Sequence, residues 1–143
     1  MNEMLTLLTG VKVDNPRSII EQGFIGNDPT TASCLIKTIN VNSLSQGTVL
    51  AVERSPISSN LCVTVEVNSQ RWVRYCELAS TKLVAGQLIH KGDFVGYGYK
   101  GKMRLEYCTS EINTLPVRVL GRQLYKHDPT PIIFTKRDIS EVS

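Results

Sequence analysis

The chain has 143 residues, a formal net charge of +3 at pH 7 and 41% hydrophobic residues, a balance typical of a single globular domain with a substantial core. No apolar run approaches the roughly 18 residues of a membrane span, which argues against an integral membrane protein. The basic residues are scattered rather than clustered, which argues against a nucleic-acid-binding surface.

The N-terminal segment carries an acid at Glu3 and lacks the basic start and long apolar run of a secretory signal. We therefore expect a chain that is assembled inside a cell, with its cysteines reduced. Residues 1–143 are predicted to form one domain, in which residues 18–134 build the core. Residues 1–12 and 138–143 are candidate arms.

Short alternating or apolar runs recur between turn residues, and no window of a dozen residues keeps the spacing of an amphipathic helix. This pattern predicts an all-β domain, a compact antiparallel sheet or sandwich with little helix. The predicted strands are Cys34–Val41, Thr48–Glu53, Leu61–Val67, Trp72–Glu77, Phe94–Tyr99, Met103–Thr109, Val117–Leu120 and Ile132–Phe134. The predicted core includes Val49, Ala51, Val63, Val65, Val73, Tyr75, Val95 and Leu105.

The clearest hairpin joins Leu61–Val67 to Arg71–Glu77 through a polar turn at residues 68–70. The four cysteines of the chain contain no C-x-x-C pair, and buried reduced thiols are the expected state. The hairpin nevertheless places Cys62 and Cys76 on neighbouring strands, so a disulfide between them remains an alternative.

An ordered series of glycines and strand residues lies between residues 47 and 106. Its most specific part is V-x-G-Q-x-I-x-x-G-D-x-V-G, which runs from Val84 to Gly96. Tyr75 and Leu78 precede this part, and Leu105-Glu106 follows it. The order resembles the LytM/lysostaphin-type family of zinc murein endopeptidases. The resemblance implies the β fold of that family and a groove along its sheet.

In that family a His and an Asp early in the domain hold zinc together with the last His of an H-x-H motif. A further His, in a Y-x-H-L motif, assists catalysis. Here the matching segments read Tyr75-Cys76-Glu77-Leu78 and Lys102-Met103-Arg104-Leu105-Glu106. Residues 27–40 lack the H-x-G-x-D frame and offer Asp28 and Cys34 instead. The resemblance therefore implies a degenerate domain with no catalytic residue, no zinc and no other cofactor.

The replacements place opposite charges at the motif positions. One hypothesis is that Glu77 pairs with Lys102 or Arg104 where the metal would lie; the other is that these are three exposed strand residues without mutual contact. Aromatic faces with polar tips suit contact with protein or carbohydrate. The predicted groove and partner-contact residues are Tyr75, Glu77, Lys102, Arg104, Tyr97 and Tyr99.

Three functions follow from the resemblance. The first is a non-catalytic structural protein of a bacteriophage virion, in the tail or baseplate, assembled in the host cytoplasm in several copies with other virion proteins. The second is an inactive module that binds peptidoglycan or regulates a hydrolase. The third is a hydrolase with unusual ligands, which would have to use His90 and His127; otherwise both are ordinary surface histidines. Neither nucleic acid nor membrane is an expected partner.

Overall fold

A computed structural model describes residues 2–24, 32–55, 58–134 and 139. Asp28, the acid proposed above in the early segment, lies outside the described residues. Within these ranges the helices are α1 (Glu3–Thr9), a 3-10 turn (Pro16–Ser18) and α2 (Thr130–Ile133). The strands are β1 (Ile20–Gln22), β2 (Cys34–Lys37), β3 (Asn40–Asn42), β4 (Gly47–Arg54), β5 (Leu61–Asn68), β6 (Arg71–Ser80), β7 (Leu88–Ile89), β8 (Phe94–Gly98), β9 (Lys102–Thr109), β10 (Pro116–Val119) and β11 (Arg122–His127).

The strands form one sheet whose main path runs β1-β2-β9-β6-β5-β4-β7. Strand β8 joins β6 to β3, and β11 joins β9 to β10. The pairings along this path and in its branches are antiparallel, so the predicted all-β antiparallel fold is confirmed. None of the helices in the described part of the chain has the length and apolar character needed to cross a membrane.

Strand β6 shows how the sheet divides its side chains between two faces. Val73 and Tyr75 are fully buried in the larger apolar cluster, whereas Trp72 belongs to a smaller cluster with Cys108. Successive side chains of a strand point to opposite faces, so one strand serves both clusters. The eight residues predicted for the core are all buried, which confirms that prediction.

The segment predicted as an N-terminal arm instead contains α1. The side chain of Asn2 caps this helix by accepting a hydrogen bond from the backbone N–H of Leu5 at 2.8 Å. Met4, Leu5 and Leu8 are buried in the larger cluster, so the helix is part of the core. With 7 residues it is shorter than the window in which helical periodicity is readable, and the prediction of an arm was wrong for this reason.

The C-terminal prediction also needs correction, because Ile132–Phe134 is not a strand. Residues Thr130–Ile133 form α2, with a proline in its first turn, where proline favours a helix. Asp128 Oδ1 accepts hydrogen bonds from the backbone N–H and the hydroxyl of Thr130, at 2.9 and 2.6 Å. Ile139 is buried in the larger cluster, while residues 138 and 140–143 of the candidate arm lie outside the described residues.

Strand β11 was missed by the sequence analysis. It follows β10 through the two-residue turn Leu120-Gly121, whose φ angles are 50° and 76°. Two positive φ values in a two-residue loop are typical of the mirror-image turns that suit the twist of a hairpin. Leucine is an unusual residue at the first of these positions, so the turn gave no recognisable signal.

Cys62 on β5 and Cys76 on β6 form a disulfide across the central hairpin. The expectation of reduced thiols is therefore wrong for this pair, and the alternative stated for it holds. Cys34 and Cys108 are free and buried, as expected. Burial raises the pKa of the Cys34 thiol to about 11 and that of Cys108 to about 12.

Candidate functional site

A groove of about 470 Å³ lies on the face of the sheet opposite the larger apolar cluster. It is lined by side chains from β4, β5, β6, β9, β10 and β11. Glu77 and Arg104, which occupy motif positions named above, are among these lining residues. The groove is therefore where the resemblance places a metal centre.

The floor of the groove holds a buried cluster of three charges, here called the buried triad: Arg74, Glu106 and Lys126. Arg74 Nη1 donates to Glu106 Oε1, and Lys126 Nζ lies 3.1 Å from Glu106 Oε2. The three side chains are 6%, 9% and 8% exposed. Two cations share one carboxylate, so the triad carries a formal charge of +1.

The register of the strands brings the triad together. Arg74 on β6 is directly opposite Glu106 on β9, and Thr64 on β5 is directly opposite Arg74. Arg74 Nε also donates to Thr64 Oγ1 at 3.1 Å. Lys126 arrives from β11, which pairs with the far side of β9. Side chains opposite one another on neighbouring strands share a face, so the four residues meet on one side of the sheet.

Glu77 lies at the rim of the groove and has a positive φ of 60°. Its carboxylate accepts hydrogen bonds from Ser58 Oγ at 2.8 Å and from Asn60 Nδ2 at 3.0 Å. Both oxygens are therefore engaged by neutral donors from the loop before β5.

The hypothesis that Glu77 pairs with Lys102 or Arg104 is wrong. Lys102 Nζ lies 2.7 Å from Glu21 Oε2, and this hydrogen-bonded contact lowers the pKa of Glu21. Arg104 Nη1 donates to Ser33 Oγ at 3.2 Å. Each charge at a motif position thus has a different neighbour: Glu77 contacts the loop before β5, Lys102 contacts β1, and Arg104 contacts Ser33 just before β2.

The predicted tyrosine contacts are not at the groove. Tyr75 is fully buried in the larger cluster, where its hydroxyl oxygen accepts a hydrogen bond from the backbone N–H of Leu44 at 2.9 Å. That burial raises the pKa of Tyr75 to about 12, and a partner could not reach the side chain. Tyr97 and Tyr99 are 49% and 43% exposed beyond the groove, so a contact through them stays a prediction.

The two histidines occupy separate surroundings. His90 is exposed and its Nδ1 lies 3.5 Å from Asp93 Oδ2. His127 Nε2 lies 2.7 Å from Thr109 Oγ1 and lines a second hollow, of about 380 Å³, with Asp128. Across the described residues, no three His, Cys, Asp or Glu side chains are grouped so that they could hold a metal ion.

The residues at the groove do not fit the zinc site that the resemblance implies. Such a site needs about three neutral imidazole, thiolate or carboxylate ligands with an open position. The groove instead presents the cations Arg74, Arg104 and Lys126, and both oxygens of Glu106 already bind two of them. A guanidinium offers donors and no lone pair, and like charges repel a divalent cation.

Sequence reasoning missed Arg74 and Lys126. Arg74 lies between apolar residues in R-W-V-R-Y-C-E-L, on the same alternation as Trp72 and Cys76. A charge in the middle of an otherwise apolar strand was the available signal, because such a charge must find a partner when it is buried. Lys126 had no such signal, since its strand was not recognised.

Comparison with known proteins reveals a likeness of structure. No family model and no curated protein sequence matches the chain. The structure of LytU is similar, with a TM-score of 0.60, 16% identity and coverage of 83% of this chain and 85% of that one. The antimicrobial peptidase lysostaphin from Staphylococcus simulans is similar with a TM-score of 0.57 and 14% identity, and the match covers 78% of this chain and 48% of that one. A zinc-containing peptidase from Vibrio cholerae is similar with a TM-score of 0.52 and 24% identity, and the match covers 62% of this chain and 32% of that one.

The chain thus spans about a third of the Vibrio peptidase and less than half of each of two lysostaphin structures, at 42% and 48%. At these identities the likeness concerns the backbone arrangement. It agrees with the antiparallel β fold described above. The protein has the fold of the LytM/lysostaphin-type peptidases, with a buried cluster of arginine, lysine and glutamate on the floor of its groove.

Proposed function

We propose that this protein is a non-catalytic structural protein of a bacteriophage particle, in the tail or baseplate, built on a LytM/lysostaphin-type fold. The observation that carries the proposal is the buried triad. Arg74, Glu106 and Lys126 form a buried charge cluster on the floor of the groove in which the resemblance implies zinc ligands. A hydrolytic zinc would have to displace two buried cations and would still lack imidazole ligands.

The residue at the motif position of the catalytic histidine supports the same conclusion. Metal-assisted hydrolysis needs a water activated by the metal and a group that can transfer its proton near neutral pH. At the position of the catalytic histidine stands Glu77, whose carboxylate is held by Ser58 and Asn60. The histidines of the chain lie elsewhere, at residues 90 and 127.

A role in a particle is supported by the form of the domain. The Cys62–Cys76 disulfide suits a protein that functions outside the reducing cytosol, as a particle component does after release. The exposed apolar side chains Ile39, Phe94 and Tyr97 lie on the paired strands β3 and β8 or just before them and offer a surface for a neighbour. On this proposal the protein assembles in several copies with other virion proteins.

An inactive module that binds peptidoglycan or regulates a hydrolase is the second candidate. The retained groove of about 470 Å³ favours it, because a purely structural domain has no need of an open cleft. Both candidates share the absence of catalysis. They differ in whether the groove holds a wall fragment or a protein.

The first test is metal content by elemental mass spectrometry on protein purified without chelator and without a histidine tag. We expect less than about a tenth of a zinc per chain, since a functional site would hold one. Purified cell walls should keep their turbidity during incubation with the protein, while an active LytM-type peptidase clears them. About one zinc per chain together with loss of turbidity would overturn the proposal.

The particle assignment needs its own test. Mass spectrometry of density-purified phage particles should detect the protein at a constant ratio to other particle proteins. Peptide fragments of this protein that contain no cysteine serve as the internal standards for this ratio. Detection in the lysate and not in the particles would contradict a virion role and favour the second candidate.

A further inference from the structure

The groove above the buried triad is lined by more cations than carboxylates. Arg54, Arg74, Arg104, Arg118 and Lys126 lie around it with Glu53, Glu77 and Glu106, which gives the lining a formal net charge of +2. We refer to it as the basic groove. A cleft with one prevailing sign of charge concentrates ligands of the opposite sign.

The carboxylates on the floor and at one rim of the basic groove are already engaged. Glu106 binds Arg74 and Lys126, and Glu77 binds Ser58 and Asn60. They are therefore poor partners for an incoming cation.

Two arginines retain donors for an anion. Arg74 uses Nε and Nη1, and Arg104 uses Nη1, whereas a guanidinium has five N–H groups. Because Arg74 is opposite Glu106 and Arg104 is opposite Cys76, the two arginines occupy diagonal positions, about 7–8 Å apart, on β6 and β9. A carboxylate lying between them could accept hydrogen bonds from both guanidiniums.

The walls of the basic groove indicate what carries that carboxylate. Pro116 and Val117 on one side and the Cys62–Cys76 disulfide on the floor supply apolar contact surface. Glu53 and Glu77 at the rim would repel a chain with a charge at every unit, such as a polyphosphate or a nucleic acid. The combination fits a peptide with one carboxylate and small apolar neighbours.

We infer that the basic groove binds an extended peptide of a neighbouring protein through a single carboxylate, held by Arg74 and Arg104. The carboxylate is an Asp or Glu side chain or a chain terminus. This inference rests on the proposed non-catalytic function, because the anion occupies the space that a metal and its substrate would need. Charged hydrogen bonds at a guanidinium are directional, so the site would select position as well as charge.

The test is a titration of the ¹⁵N-labelled protein, followed by NMR, with three matched hexapeptides. The first is capped at both ends and has one central Glu; the second has Gln in its place; the third is the Gln peptide with a free C-terminal carboxylate. We expect shifts on β6 and β9 with the first or third peptide, and at least about tenfold weaker binding of the second. Comparing the affinities of the first and third peptides distinguishes a side-chain carboxylate from the carboxylate at a chain end.

Matched variants locate the site. Arg104→Gln should weaken carboxylate binding about tenfold or more, since it removes charged hydrogen bonds. Arg17→Gln removes the same charge from an exposed position outside the groove and should leave the affinity within about twofold. Both variants should retain the dispersed spectrum of the parent, because neither side chain belongs to the buried triad.

Four outcomes would overturn the inference: equal binding of the capped Gln peptide, equal effects of the two substitutions, shifts confined to β3 and β8, or no binding of any peptide at millimolar concentration. Tighter binding of a soluble muropeptide than of the Glu peptide would contradict a protein partner. Failure here leaves the zinc and turbidity results untouched, so it is distinguishable from failure of the proposed function.

Discussion

Arg74 on β6 and Glu106 on β9 stand directly opposite each other in the two central strands, and their ion pair is almost wholly withdrawn from water, with side chains 6% and 9% exposed. Lys126 from β11 contacts the second oxygen of the same carboxylate. Buried charges are costly unless they are paired and hydrogen-bonded. The groove floor therefore depends on all three residues being present together.

The first prediction is that Glu106→Gln destabilises the protein strongly. It removes the carboxylate that binds both buried cations, and removing one partner of a buried ion pair typically costs about 3–5 kcal/mol. The free energy of unfolding, measured by urea titration at neutral pH, should fall by that amount. Glu21→Gln, which removes the partner of Lys102 in a half-exposed pair, should cost far less, because water screens an exposed ion pair.

Replacing all three residues of the buried triad together tests whether this part of the fold needs their charges or only their volume. Arg74→Met, Glu106→Leu and Lys126→Met together should recover most of the lost stability, because apolar residues of similar size often substitute for a buried ion cluster. Equal costs for Glu106→Gln and Glu21→Gln, or a triple variant less stable than Glu106→Gln, would show that the triad is not the desolvated cluster described above.

The second prediction concerns the redox state of the cysteines. Unfolded protein prepared without reductant should show two reactive thiols, from Cys34 and Cys108, and four after reduction. The disulfide closes a loop with a sequence separation of 14, and its loss should lower the free energy of unfolding by about 3 kcal/mol. Cys62→Ala with Cys76→Ala should reproduce this loss without reductant. Four reactive thiols in the unreduced protein would refute the bridge.

The third prediction is that alkaline pH destabilises the fold. Burial raises the pKa of Cys108 from 9.0 to about 12 and that of Tyr75 from 10.0 to about 12. Below pH 9 the folded and the unfolded protein both keep these protons, and the contribution of the two groups to the free energy of unfolding is fully present. Between pH 9 and 12 the unfolded chain releases protons that the folded chain keeps, so the free energy of unfolding falls as pH rises.

Once such a group is ionised in the unfolded protein, it lowers the free energy of unfolding by about 1.4 kcal/mol per pH unit. Urea unfolding at pH 7, 9 and 10.5 measures this slope. Cys108→Val removes one titrating group and should give a shallower decline than the parent protein over the same range. A stability that stays level or rises up to pH 10.5 would contradict the burial of these groups as neutral species.

The fourth prediction tests the approach of β8 to β6. A Cβ at Gly96 would collide with the backbone carbonyl oxygen of Ser80 and lie 3.3 Å from Leu78 Cδ1. Gly96→Ala should therefore destabilise the protein by about 1–3 kcal/mol, because backbone cannot yield as a side chain can. Gly23→Ala, whose Cβ would meet no described atom within 4 Å, serves as the control. Equal thermal midpoints for the two variants would argue against the close pairing.

Local patterns in the sequence were enough to predict much of the fold. The alternation of Val63 and Val65 with Thr64 predicted a two-faced strand, and the structure buries the two valines in the larger core. The glycines of the V-x-G-x-x-I-x-x-G pattern, at residues 86 and 92, have φ values of 91° and 89°, which other residues rarely adopt. Such signals are readable because period and backbone conformation are properties of neighbouring residues.

The same reasoning failed where the signal was short or unusual. Helix α1 is 7 residues long and gave too little periodicity to recognise. The turn at Leu120-Gly121 carries leucine where asparagine or glycine is usual, so β11 went unseen. With β11 missing, Lys126 could not be placed in the groove.

The sequence by itself determined which residue types stand at the positions that the resemblance aligns with histidines: Glu77, Lys102 and Arg104. Only the tertiary structure decided which charges meet. Glu77 binds Ser58 and Asn60, Lys102 contacts Glu21, and the buried cluster forms around Glu106. Ion pairs between strands depend on strand order and register, which arise from packing between residues far apart in the chain. A charged residue in an apolar strand indicates that a partner is needed, and the tertiary structure determines which residue that partner is.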